Sequence, residues 1–227
     1  MEKQVDILIV GAGISGIGIA AHLTKNNPKR KFDIIERRAS FGGTWDLFKY
    51  PGIRSDSDMS TFGFNFKPWR KANVLADGES IKGYIGEVVD EYKLKDKIHF
   101  NHRVLAANYD SSTKKWHVQI EDSNKKTQTW IANFVLGCTG YYNYDQGFQP
   151  DFPNQEAFKG QLIHPQFWPE NLDYSGKKVV IIGSGATAIT LVPAMAKGGA
   201  GHVTMLQRSP TYIASIPSID FVYDKTR

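Results

Sequence analysis

The chain has 227 residues, 41% of them hydrophobic and 22% charged, with a formal net charge of +5, an ordinary globular composition with room for one large domain or two small ones. A single cysteine, Cys138, excludes an internal disulfide, an iron–sulfur cluster and a redox cysteine pair. The basic residues are scattered, with only short runs such as Lys29-Arg30-Lys31 and no aromatic interleaving, which argues against a nucleic-acid partner.

Residues 5–10 form a short apolar run that reads as a strand. A glycine-rich turn follows, then a helix over about 14–25, ended by Asn26-Asn27-Pro28. A second strand at 31–35 completes a βαβ unit. The apolar stretch 7–23 is broken by Gly11, Gly13, Gly16 and Gly18, and Asp6 stands before it where a leader has basic residues. It therefore reads as neither a signal peptide nor a membrane span, and the expectation is a cytoplasmic protein with no transmembrane segment. Residues 41–69 show neither a two-residue nor a 3.6-residue period and carry many glycines and aromatics. Long irregular segments inside a domain are usually functional or disordered, and the aromatic load argues for the former.

Residues 80–92 read as an amphipathic helix with Ile81, Tyr84, Ile85, Val88 and Val89 on one side. Strands at 104–109, 116–121 and 127–136, joined by polar turns, read as a β-meander. Residues 141–174 are a loop rich in proline and aromatics. A strand at 178–182 then opens a second βαβ unit, closed at 202–207. The predicted class is α/β: a Rossmann-like unit with a β-meander, followed by the start of a second Rossmann-like unit. The expected divisions are 1–140, a linker at 141–175, and 176–227.

Gly11-Ala12-Gly13-Ile14-Ser15-Gly16 lies between a strand and a helix, the context in which GxGxxG binds a dinucleotide. Gly11 permits the turn, Gly13 lets backbone approach a pyrophosphate, and Gly16 lets helix and strand close up. Glu36 follows Gly16 by twenty residues, at a strand end where a carboxylate accepts ribose hydroxyls. A glycine turn with a surface glutamate is the plainer alternative. In the second unit Gly183-Ser184-Gly185-Ala186-Thr187-Ala188 repeats the pattern with the permitted alanine. Arg208 follows Ala188 by the same twenty residues. A carboxylate repels a 2′-phosphate and a guanidinium binds it. The first nucleotide is thus FAD or NAD and the second NADP, unless Arg208 is only a solvated strand-end charge. The meander after the first unit favours FAD.

Three further stretches carry a family resemblance. Gly42-Gly43-Thr44-Trp45 and Lys49-Tyr50-Pro51-Gly52-Ile53-Arg54-Ser55-Asp56 resemble the flavin-contacting loops of Baeyer–Villiger monooxygenases. Phe158, Gly160, His164, Trp168 and Pro169 occupy every fixed position of that family's FxGxxxHxxxWP pattern. The run 55–64, with Tyr141-Tyr142-Asn143-Tyr144-Asp145, is most similar to the ethionamide-activating branch. The resemblance implies an NADPH- and FAD-dependent enzyme that inserts one oxygen of O2 into a ketone or a soft sulfur of a small-molecule substrate.

By position, the resemblance implies that Gly11, Gly13, Ser15, Gly16, Glu36, Gly43, Thr44, Trp45, Asp46, Leu47, Asp56 and Val104 contact FAD, Val104 through its backbone. Arg54, Ser55, Gly183, Ser184, Gly185, Ala186, Thr187, Ala188, Ile189, Gln207 and Arg208 would face NADP. Asp56 is the expected catalytic acid, beside the flavin and tuning an arginine; loop capping is its alternative. Trp45 is open between flavin contact and core. His164 has no partner ligands at metal spacing and reads as a structural histidine linking two domains. No metal is expected. The family's catalytic arginine lies further downstream than anything matched before Arg227, so a missing C-terminal part is expected to be required. The competing readings are an N-hydroxylating or dimethylaniline-type flavin monooxygenase, against which Trp168-Pro169 speak, and an inactive nucleotide-binding fragment.

Overall fold

The computed structural model describes residues 3–215 and 217–219; the expected extent of the last domain to 227 therefore runs beyond the described residues. β1 (Lys3–Val10) leads into α1 (Ile14–Asn26) and β2 (Phe32–Ile35). Single helical turns follow, α2 (Thr44–Leu47) and α3 (Met59–Phe62), then the longer α4 (Gly78–Glu91). β3 (Ile98–His99), β4 (Arg103–Asp110), β5 (Lys115–Glu121) and β6 (Thr127–Gly137) complete one sheet. β7 (Lys178–Ile182), α5 (Ala186–Lys197) and β8 (His202–Leu206) form a second βαβ unit.

The described residues fold as two compact units, one up to residue 46 with 81–142, the other 47–80 with the described residues from 143 onward. The sequence-based division places 47–80 in the first domain; its apolar residues decide otherwise. Leu47, Phe48 and Tyr50 are buried in one cluster with Ile181, Leu191 and Met195. Gly52 lies so close to α5 that an added Cβ would sit 2.5 Å from the Thr190 carbonyl oxygen.

In the first unit the strand order is β3-β2-β1-β6-β5-β4. β6 has two roles: it pairs antiparallel with β5, closing the meander, and parallel with β1, joining the meander to the βαβ sheet. Val5, Leu8, Ile35, Val118, Ile120, Trp130 and Ala132 form a continuous core across that junction. On α1, Gly16, Ile17, Gly18, Ala20 and Ala21 are buried, so the buried stripe is made mostly of small residues, which allow close helix–strand approach. All five residues expected on the inner side of α4 are buried.

The second unit has a two-stranded parallel sheet among the described residues. Its strands alternate as a one-sided sheet does. Val179, Ile181, Val203 and Met205 pack into the core, while Val180, Ile182 and Leu206 are exposed. No helix among the described residues is long and apolar enough to cross a membrane.

Candidate functional site: two glycine turns

The first turn is built from the ends of β1 and β2, whose register sets Val10 opposite Ile35. Gly11 has φ +109° and donates its N–H to the Ile35 carbonyl at 2.8 Å. A Cβ at Gly11 would lie 2.3 Å from the Cys138 carbonyl oxygen, and one at Gly16 would lie 1.9 Å from the Gly11 carbonyl oxygen. Only glycine fits either place. α1 begins after Gly13 with no side-chain cap and no acidic residue in its first turn, where Ser15 is exposed. Its N-terminal amides and positive dipole end are thus unopposed by a carboxylate of their own turn.

Glu36 is buried beside this turn. One carboxylate oxygen accepts the Ala12 N–H at 2.8 Å and the other accepts the Arg38 N–H at 2.9 Å. The Glu36 backbone is fixed as well, donating to His99 O and accepting from His102 N, each at 3.0 Å. Each carboxylate oxygen retains acceptor capacity for a further donor such as a hydroxyl. A glycine cradle, a helix N-terminus and an acceptor-only strand end fit a dinucleotide whose ribose is not phosphorylated.

The next loop is attached to the same turn, with Gly42 N donating to Ala12 O at 3.0 Å. Gly43 (φ +56°) precedes the single turn of α2, where Trp45 N donates to Gly42 O at 3.1 Å and Trp45 is half-buried. Asp46 is buried, and its carboxylate is clamped. Arg38 Nη2 lies 2.6 Å from Oδ2 and Lys82 Nζ 2.5 Å from Oδ1. Burial alone would raise the Asp46 carboxyl; hydrogen bonds from Lys82 and Arg38, with their charges, outweigh it and hold the group below its usual range. Two cations thus occupy the Asp46 side chain, which fastens the loop to α4 and to the end of β2. Leu47, expected beside the flavin, has its side chain in the core of the second unit. Val104 pairs with Ile120 next to a bulge in β4, and its side chain packs on the first unit's core.

In the second unit Ser55 is buried, accepting from Ser57 N and donating to Ser57 O at 3.1 Å. Asp56 is more than half exposed, and the arginine beside it is Arg54, with 3.9 Å between Nε and Oδ1.

The second turn repeats the first with one displacement. Ile182 lies opposite Leu206, and Gly183 (φ +122°) donates to the Leu206 carbonyl at 2.8 Å, as Gly11 does to Ile35. The residue that follows the paired strand is Glu36 in the first unit and Gln207 in the second, so Arg208 stands one position further on. Counting twenty residues equates Arg208 with Glu36; the strand register equates Gln207 with it. The cause is a 12-residue α5 against a 13-residue α1. α5 begins at Ala186, so Thr187, Ala188 and Ile189 lie in its first turn, again with no acidic residue there. Gly185, its N-cap, has open space where a Cβ would project.

The 158–169 motif lies within the second unit. His164 Nδ1 accepts the Gln166 N–H at 3.2 Å at the start of a short 3-10 turn, and its ring covers Gly147. Gln166, buried, donates through Nε2 to Asn143 O at 2.7 Å. These contacts of His164 run inside one unit, where the sequence suggested a link between two. The Phe158 ring covers Gly160, Trp168 packs on the core, and Pro169 O accepts from Leu172 N. Among the described residues no cluster of three or more His, Cys, Asp or Glu could hold a metal. Sequence reasoning missed Ala12, Arg38, Lys82 and Thr211; Arg38, two residues past Glu36, was the one with a legible signal.

Two strand–glycine turn–helix units, one with a buried carboxylate at its strand end and one with glutamine and arginine there, define the class of a protein with two dinucleotide-type turns. The model of the flavin-binding monooxygenase-like family matches residues 2–223, and the chain belongs to that family. It is 82% identical over its whole length to a probable FAD-binding monooxygenase AlmA of Acinetobacter baylyi, of which it covers 46%. It is 56% identical over 226 residues to the FAD-containing monooxygenase EthA of Mycolicibacterium smegmatis, again covering 46%. The chain therefore spans about half the length of these curated relatives. Among solved structures, an oxidized steroid monooxygenase bound to NADP superposes with a TM-score of 0.82 at 27% identity, over 98% of this chain and 42% of that one. A Rhodococcus cyclohexanone monooxygenase bound to NADP+ gives 0.77 at 28% identity, over 93% and 39%.

Proposed function

We propose that the first unit binds FAD, that the second binds NADPH, and that the protein serves an NADPH-dependent monooxygenase that inserts one oxygen atom of O2 into a ketone or a soft sulfur. The observation that carries this is the contrast at the two strand ends: a buried Glu36 bound to its glycine turn, and Gln207-Arg208 where the second turn needs its counterpart. The relatives' FAD-containing names and the NADP-bound structural neighbours support the same assignment.

Gly11, Gly13 and Gly16 would let a pyrophosphate approach the α1 amides, and Glu36 would accept the ribose hydroxyls. The loop 42–47, held by Asp46 on Arg38 and Lys82, would present Thr44 and Trp45 to the flavin. Gly183, Ser184 and Gly185 would do the same for the second pyrophosphate, with Arg208 on the 2′-phosphate and Gln207 presenting no carboxylate to oppose it. Asp56, beside Arg54, would orient that arginine toward the nicotinamide nucleotide. When bound, the flavin supplies the hydride acceptor and the oxygen-activating chemistry.

The test is anaerobic mixing of the flavin-loaded protein with NADPH or NADH, followed by air and a cyclic ketone or a thioether. The expected result is loss of flavin absorbance with NADPH faster than with NADH, and ester or sulfoxide formed in step with NADPH consumed by the protein at its relatives' full length. Equal reduction by both nucleotides, or nicotinamide oxidation with no oxygenated product at that length, would contradict the proposal.

A further inference from the structure

The two units attach the strand-end loop to the glycine turn by different chemistry. In the first, Ala12 N donates directly to the Glu36 carboxylate at 2.8 Å. In the second unit Gln207 stands where Glu36 does, and Arg208 beyond it has donors and no acceptor. The second unit uses hydroxyls instead. Ser184 Oγ donates to Ser209 O at 3.1 Å, and Thr211 Oγ1 donates to Ser184 O at 2.6 Å. One turn residue, Ser184, is thereby bound on both sides of Pro210, through its hydroxyl and through its carbonyl. Pro210 itself has a fixed φ.

These bonds hold residues 209–211 against the turn, and Arg208 is caught between them and the Leu206–Gly183 bond. Among the described residues Arg208 has no ion-pair partner, and its side chain is exposed. A long, unpaired cation samples many rotamers, so the position of its backbone sets where the guanidinium can reach. Val in place of Thr211 would remove one of these two bonds without touching charge.

We propose that Thr211, bonded to Ser184, is a positioning residue for Arg208 and sets the preference for a 2′-phosphorylated nicotinamide dinucleotide over the unphosphorylated one. This rests on the reading of Arg208 as the 2′-phosphate cation. A loop that only stabilised the fold would affect both nucleotides alike, because they share the pyrophosphate and the nicotinamide half. A positioning role touches only the one bearing the phosphate.

The experiment is titration of flavin-loaded wild type, Thr211→Val, Thr211→Ser and Arg208→Ala with NADPH and with NADH, each protein also assayed for flavin content and melting temperature. Thr211→Val is expected to weaken NADPH about threefold to tenfold and NADH by less than about twofold, the scale of one lost hydrogen bond. Thr211→Ser, which keeps the hydroxyl, should return NADPH to within about twofold of wild type. Arg208→Ala should show the same preference change at larger size. Equal loss of both nucleotides in Thr211→Val, or no loss, while Arg208→Ala discriminates, would overturn the role of Thr211 alone. No discrimination in Arg208→Ala would overturn the reading of Arg208 and this inference with it.

Discussion

The first unit anchors its strand-end loop with charge, and the second anchors its own with neutral hydroxyls. Glu36 and Asp46 are both buried carboxylates in the first unit, taking backbone amides and two cations respectively. In the second, Ser184 and Thr211 make the connections beside Arg208. An acceptor at the strand end can select a ribose and fasten the turn at once; in the second unit Gln207 holds that position, and the cation beside it, Arg208, can select a phosphate but has no acceptor with which to fasten the turn. The hydroxyl bonds hold the second loop to its turn without charge.

The largest expected contrast is steric. At Gly16 an added Cβ would overlap the Gly11 carbonyl at 1.9 Å, whereas at Gly185 it would meet nothing within 4 Å. Gly16→Ala should destabilise the protein by about 3 kcal/mol, the upper part of the range for overpacked sites, and abolish flavin retention. Gly185→Ala should stay within about 0.5 kcal/mol of wild type. Chemical denaturation with flavin absorbance after desalting measures both. Equal effects would contradict either the overlap at Gly16 or the open space at Gly185.

A smaller contrast is electrostatic. Asp46→Asn should cost about 1–3 kcal/mol at pH 7, since it leaves Arg38 and Lys82 facing an amide. The folded-state carboxyl lies below its ordinary value, so its contribution is present above the unfolded-state pKa of about 3.9 and is lost as pH falls through the folded one. The difference between wild type and Asp46→Asn should therefore be full at neutral pH and begin to shrink as pH falls below about 4, vanishing only below the folded-state pKa. Denaturation followed from pH 7 down through the acid range checks this; a difference that never shrinks would show that the clamp does not depend on charge. The hydroxyl bonds of the second unit have no such titration.

Much of the architecture was legible because it is periodic or glycine-marked. The 3.6-residue spacing of Ile81, Tyr84, Ile85, Val88 and Val89 and the Gly11–Gly16 turn identified α4 and the first βαβ unit directly. The placement of 47–80 was not legible, because Leu47, Phe48 and Tyr50 have no period that names their partner; tertiary burial against Ile181 and Leu191 decides it. The second role of β6 was likewise hidden, since a parallel pairing with β1 leaves no local turn signal. At the second turn, residue counting was one position off because loop and helix length, not sequence distance, sets the strand register. The side-chain partners of Asp46 and Leu47 were not legible either: the first bonds Arg38 and Lys82, and the second lies in the second unit's core.

The central claim is that the two units select different nucleotides through opposite chemistry at their strand ends. Its most direct test is one crossed binding measurement, FAD retention together with NADPH and NADH titration, on Glu36→Ala and Arg208→Ala. Glu36→Ala should weaken FAD about tenfold to hundredfold and leave the NADPH-to-NADH preference intact. Arg208→Ala should retain FAD, weaken NADPH about tenfold to hundredfold and change NADH by less than about threefold. If each variant weakens both cofactors alike, or if Arg208→Ala loses NADH as strongly as NADPH, the assignment of the two turns is wrong.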